Sequence, residues 1–113
     1  MHQETTAAFF GANVTSDFAF EVTTTDDVHV VNLYGQLDLE SSAQVRESLV
    51  AVAGSTVVVD LSGLRFLDSS GIAALLGARN EIIDAGHHFE LRGARGIVLR
   101  VLEVTGLTSL LRD

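Results

Sequence analysis

The sequence predicts an α/β domain: a mixed, mostly parallel sheet of about four strands, opened by a β-hairpin, with three to four helices packed on it. Three observations carry this. Two apolar runs stand close together near residues 18–35, the pattern of a hairpin. Residues 56–61 are β-branched and apolar almost throughout, the pattern of a central strand covered on both faces. Three further stretches repeat apolar residues at helical spacing, so that strands and helices alternate as in strand–helix–strand units.

Taken in order, residues 1–16 hold no sustained period and are rich in Thr and Ala, so a flexible tail is expected there, with a single domain over 17–113. Phe18, Phe20 and Val22 alternate with Ala19, Glu21 and Thr23 as a first strand. Asp26 and Asp27 make the turn. Val28 to Tyr34 form the second strand, ended by Gly35. Ser41-Ser42-Ala43-Gln44 has the form of a capping box, a hydroxyl at the N-cap with an amide three residues on. The helix it opens carries Val45, Leu49 and Val52 on one face and stops at Gly54.

The third strand follows at 56–61. Ile72, Leu75, Leu76, Arg79, Ile82 and Ile83 then mark a second helix from about Ser70 to Ala85, closed by Gly86. His88 to Leu91 suggest a fourth strand, closed by Gly93. Ile97, Val98, Val101, Leu102 and Val104 mark a third helix, with Gly106 where a C-terminal glycine belongs. Leu107, Leu110 and Leu111 suggest a last turn packing back on the core.

The chain has 113 residues, a length that suits one domain. There is no cysteine, which excludes disulfides and thiolate chemistry and fits a reducing cytoplasm. No apolar run approaches the roughly 18 residues of a membrane span, and the N-terminus has no basic region of a signal peptide. Fifteen acids against seven arginines, with no lysine, give a net charge of −8. Binding to nucleic acid or to an anionic membrane needs a basic surface, so neither is expected. Monomer is the default state.

Enzyme motifs are missing. Without lysine there is no phosphate-binding Gly-x-x-x-x-Gly-Lys loop, and no Gly-x-Gly-x-x-Gly follows a strand. No Gly-x-Ser-x-Gly elbow supports Ser69 or Ser70 as a nucleophile. His87 and His88 are neighbours that point to opposite faces of a strand, so no metal site is expected. No cofactor is expected either. Asp60 ends a strand beside Ser62-Gly63 and reads as a loop stabiliser.

The chain is organised around Arg65-Phe66-Leu67-Asp68-Ser69-Ser70-Gly71-Ile72. A strand precedes it and a helix begins within it. Asp68 and Ser69 read first as an ordinary helix cap. A second reading is a modified serine, because a helix N-terminus carries unpaired N–H groups that accept a phosphate.

Phe66 to Ile72 resembles the signature of the STAS domains of bacterial anti-sigma factor antagonists. Gly35-Gln36-Leu37-Asp38 resembles that family's Gly-Glu-hydrophobic-Asp segment, with Gln36 in place of the glutamate. Arg100 to Leu107 resembles its C-terminal helix and glycine exit. The resemblance covers about Phe18 to Asp113, and it implies a STAS-like fold. It further implies that Ser69 is phosphorylated by a partner anti-sigma factor that is itself a serine kinase, and that a serine phosphatase would reset it. The partner would then be met by Asp38, Asp68, Ser69, Ser70, Gly71, Ala73 and Ala74. In that picture the chain is a substrate and a switch and not an enzyme.

Three other readings stand beside the switch. One is a STAS subunit of a lipid-transport or signalling scaffold that works without phosphorylation. Another is a small enzyme or nucleotide-binding protein. The last is an antagonist that binds its anti-sigma factor constitutively.

Overall fold

The structure, a computed structural model, describes residues 8–13, 17–51 and 56–112. Its elements run β1 (Ala8–Asn13), β2 (Phe18–Thr25), β3 (Val28–Leu37), α1 (Leu39–Ala51), β4 (Thr56–Leu67), α2 (Ser69–Asp84), β5 (His88–Arg92) and α3 (Gly96–Val104), followed by a 3-10 turn at Thr108–Leu110. The strands lie side by side in chain order. β1–β2 and β2–β3 pair antiparallel, whereas β3–β4 and β4–β5 pair parallel.

The four expected strands are β2 to β5. β2 and β3 form the hairpin, pairing Thr25 with Val28 around Asp26-Asp27. Asp26 takes φ 55° there, a left-handed conformation that a short polar side chain tolerates. A fifth strand, β1, replaces part of the tail expected over 1–16. It runs along the outer edge of β2, pairing Phe9 with Val22 and Ala12 with Ala19. Pairing satisfies the edge N–H and C=O groups that β2 would otherwise present to water. Residues 1–7 and 14–16 of that stretch lie outside the described residues, as do Val52 and Gly54 of the first helical pattern.

β4 is twice as long as the six apolar residues that signal it. It continues to Leu67 through two register shifts against β3, one between Asn32 and Tyr34 and one between Gly35 and Gln36. Each shift admits an extra residue on β4, which breaks the alternation a sequence reading depends on. Gly63 sits at the first shift, where a β-carbon would lie 2.7 Å from the Leu33 carbonyl and run into the Tyr34 ring.

One continuous core lies on one face of the sheet. Phe18, Phe20 and Val22 of β2, Val31 and Leu33 of β3, Val57, Val59 and Leu61 of β4, and Leu91 of β5 all point into it. Val45 and Leu49 of α1, Leu75, Ala78 and Ile82 of α2, and Val98 and Leu102 of α3 meet them there. All three helices therefore pack on the same face. This corrects the expectation that β4 is covered on both sides. Val58, which points the other way, is 8% exposed and outside the core cluster. Its row of the sheet is Thr23, Val30, Val58 and Glu90, and the next is Glu21, Asn32, Asp60 and Arg92.

The chain end closes the far edge. α3 stops at Thr105 with Gly106 at φ 76°, the expected glycine exit. After the 3-10 turn, the Arg112 N–H donates to the Leu91 carbonyl at 2.9 Å, so the C-terminal segment bonds to β5.

Candidate functional site

β3 and β4 run parallel and end level, Leu37 beside Leu67. Each strand is followed by an aspartate, and each aspartate begins a helix. The N-termini of α1 and α2 therefore emerge side by side at one end of the sheet. Both leucines are buried in the core, which anchors the two strand ends.

α1 begins two residues before the capping box expected at Ser41. Its cap is Asp38, whose Oδ1 accepts from the N–H of Glu40 at 3.1 Å and of Ser41 at 3.3 Å. Ser41 is fully buried, and its Oγ accepts from the Asp38 N–H at 3.0 Å. The same hydroxyl lies 3.1 Å from the Gln36 carbonyl, to which it donates. The exchange is a capping box with serine in the role usually taken by glutamate. Asp38, expected to meet a partner, thus also holds the helix.

α2 also begins on an aspartate cap, without the reciprocal side chain, since Gly71 stands where α1 has Ser41. Asp68 has extended backbone (φ −110°, ψ −173°), and its side chain accepts from the Gly71 N–H at 3.0 Å. Its own N–H donates to the Leu37 carbonyl at 3.2 Å, tying the loop to β3. The loop is shorter than the sequence suggested, because β4 reaches Leu67 and α2 starts at Ser69.

Ser69 is the first residue of α2 and is exposed, with Ser70 half-buried beside it. Of the first-turn N–H groups that a helix leaves unpaired, Asp68 and Gly71 have the partners just named. Among the described residues, the N–H groups of Ser69 and Ser70 have no hydrogen-bond partner. A phosphate on Ser69 would sit at this end of the helix dipole.

Gly71 is not available to a partner. It is buried, and a β-carbon on it would lie 2.7 Å from both the Leu37 carbonyl oxygen and Leu67 Cδ1. Its smallness lets the first turn of α2 pack against the ends of β3 and β4. Ala73 is exposed, and Ala74 is nearly covered at the bottom of a groove shared with α1. Gln36, which stands where the resembled segment has glutamate, is half-buried and paired with Phe66 in the sheet.

Two exposed apolar residues stand next to the two caps in the chain. Leu39, the first residue of α1, is 74% exposed, and Phe66, near the end of β4, is 41% exposed. Each is a large apolar side chain within one or two residues of a capping aspartate. The available signal was Leu39 standing apart from the buried set of Ser41, Val45 and Leu49.

Asp60 lies on the open face, away from this surface. Its Oδ1 accepts from the Ser62 N–H at 2.9 Å and the Ser62 hydroxyl at 2.6 Å, and its Oδ2 accepts from Arg92 at 3.1 Å. Burial alone would raise its pKa, but the bonds from Ser62 and Arg92 outweigh it and hold the carboxyl below its ordinary value. This is the loop-stabilising role expected for it. Among the described residues, no three His, Asp or Glu side chains converge as metal ligands. No described helix is long and apolar enough to cross a membrane.

Comparison with known proteins places this geometry. The family described as "Mlab, STAS domain" matches residues 20–112. The anti-sigma F factor antagonist of Lysinibacillus sphaericus is 29% identical over 100 residues, which cover 85% of each chain. The solved structure of the anti-sigma factor antagonist SpoIIAA in its unphosphorylated form superposes with a TM-score of 0.73 at 25% identity, covering 83% of this chain and 86% of that one. The Bacillus cell fate determinant SpoIIAA in its phosphorylated form gives a TM-score of 0.67 at 25% identity, with coverage of 83% and 89%. With the family match spanning β2 to the C-terminal turn, the chain belongs to the STAS domain family.

Proposed function

We propose that this protein is an anti-sigma factor antagonist controlled by phosphorylation of Ser69. The observation that carries the reading is an exposed serine at the first position of α2, beside a second aspartate-capped helix. The names of its relatives support it: antagonists of anti-sigma factors recur among them, and one solved neighbour is described in a phosphorylated form.

The unphosphorylated protein docks the paired helix ends onto a serine-kinase anti-sigma factor, which then gives up its sigma factor. The kinase transfers the γ-phosphoryl group of ATP to Ser69 Oγ. The new P–O bond forms as the bond to ADP breaks, and the hydroxyl proton leaves to a base on the kinase. The protein itself supplies no catalytic group. The phosphate adds about −1.5 to −2 charge at neutral pH. The helix N-terminus accepts that charge without unfolding. The docking surface, already carrying Asp38 and Asp68, becomes more negative and bulkier where the partner must close on it. A loss of about 1.4 kcal/mol is enough to weaken binding tenfold. A serine phosphatase restores the hydroxyl by hydrolysis.

Intact mass after incubation with ATP and the anti-sigma-type kinases of the same genome tests this. The reading expects a gain of one phosphate, mapped to Ser69 and absent in Ser69→Ala. Binding to one of those kinases without any gain would make the protein a constitutive antagonist instead.

A further inference from the structure

The phosphorylation reading uses only the end of the helical layer, yet a groove of about 730 Å³ runs along it between α1 and α2. Its α1 wall is Leu39, Ser42, Ala43, Arg46, Glu47 and Val50. These positions recur every three or four residues, so they form one stripe. The stripe extends about 18 Å at the rise of an α-helix. The α2 wall is Ser70, Ala73 and Ala74, ending at Glu81. Small side chains on both walls keep the groove open, and its lining is largely apolar. Leu39 stands uncovered at the Ser69 end.

An ion pair crosses the groove from the middle of the α1 wall to the far end of the α2 wall. Arg46 lies over Gly77, where a β-carbon would come within 3.1 Å of its Nε, and reaches across to Glu81. The groove therefore opens towards Ser69, continuous with the proposed docking surface. Charge selects the occupant. The two helices and their caps carry Asp38, Glu40, Glu47, Asp68, Glu81 and Asp84 against Arg46 and Arg79, a net of −4 out of the chain's −8. A second copy of this chain would set acid against acid, and an anionic bilayer would be repelled for the same reason.

We infer that the α1–α2 groove receives a basic amphipathic helix of the partner protein. Its apolar face would lie on Leu39, Ala43 and Ala73, with its Lys or Arg residues against Glu40 and Glu47. An apolar helix face laid in a groove between helices is a common mode of peptide recognition. The inference rests on the reading that this end of the molecule meets a protein partner, and it names the chemistry of that partner.

The probe is a 15-residue amphipathic helical peptide of Leu and Lys, with a Leu and Glu twin as control, titrated into the 15N-labelled protein. The Lys peptide should shift amides of Leu39, Ala43 and Ala73, and the Glu twin should not. Ala43→Arg places bulk and positive charge in the groove at an exposed helix position, and should weaken Lys-peptide binding at least tenfold. Glu40→Lys combined with Glu47→Lys should weaken it similarly, which guards against a folding defect in either variant. Shifts confined to the open sheet face, or binding that neither variant changes, would overturn the inference. So would a solution dimer that Ala43→Arg splits, since the groove would then hold a second copy. If Ser69 is phosphorylated normally while the groove stays empty, the switch stands and only the groove assignment fails. If the peptide binds but no kinase modifies Ser69, the reverse holds.

Discussion

Gly71 and Gly77 sit in the same helix, and the structure gives them opposite characters. A methyl group at Gly71 meets the Leu37 backbone and the Leu67 side chain at 2.7 Å, in a packed region that cannot yield freely. Gly71→Ala should cost about 1–3 kcal/mol, the usual range for overpacking. At Gly77 the nearest atoms belong to the far end of the Arg46 side chain, which can swing aside. Gly77→Ala should stabilise the protein by about 0.5–1 kcal/mol, because glycine in a helix interior is unfavourable by that amount. Urea unfolding of the two variants reads both signs, and a destabilising Gly77→Ala would contradict this packing. Asp60 gives a pH prediction at the same scale. Its folded pKa is depressed, so its contribution is present above the unfolded value of about 3.9. It is lost as pH falls through the lower folded value. Wild type should therefore exceed Asp60→Asn in stability at neutral pH, and the gap should close in acid below about pH 3.9. A gap that stays constant with pH would mean that ionisation of Asp60 plays no part.

At the scale of the element, the two aspartate caps explain why the site is where it is. β3 and β4 end level, and an aspartate one residue later starts each helix. Asp38→Ala should cost about 1–2 kcal/mol, since it removes the carboxylate that caps the Glu40 and Ser41 N–H groups. A loss of helical circular dichroism signal on heating, earlier than in wild type, is the expected companion. An unchanged midpoint would contradict the role of Asp38 as the cap. This element was half legible in the sequence. Asp68-Ser69-Ser70-Gly71 declares its cap, because the residues before it are apolar and those after it are periodic. Asp38 was legible only through the family resemblance, because Ser41-Ser42 offered a plausible cap of its own three residues too late. Burial decided between them, placing Ser41 inside and Asp38 at the end. β1 was not legible at all. Ala8–Asn13 shows no alternation, and its place comes from the free edge of β2, a long-range cause that no local pattern contains.

For the molecule as a whole, the main departure from expectation is a sheet with its helices on one side. The run of valines in β4 reads as a strand buried twice over, yet only Val57 and Val59 enter the core. Val58 points to the other face and stays outside that core. A sequence run cannot show this, since what uncovers the second face is the polar row Glu21, Asn32, Asp60 and Arg92 contributed by four different strands. Val59→Thr should therefore be destabilising by about 1–3 kcal/mol, the cost of burying an unpaired hydroxyl. Val58→Thr should stay well below that, and equal losses would mean that both faces are covered. The same one-sided layering gathers the acidic helices on the face that carries Ser69. The fold class, the α2 signature and the C-terminal glycine exit were all legible. Leu39, Phe66 and the groove were not, because exposure of an apolar side chain is set by what fails to pack on it.

In the proposed switch, the charge on Ser69 decides whether this surface binds. Its most direct test is the affinity of the anti-sigma kinase for the unmodified protein, Ser69→Ala and Ser69→Asp, measured by calorimetry at one salt concentration. Ser69→Ala should bind like the unmodified protein, and Ser69→Asp at least tenfold more weakly. Equal affinities for all three would contradict it.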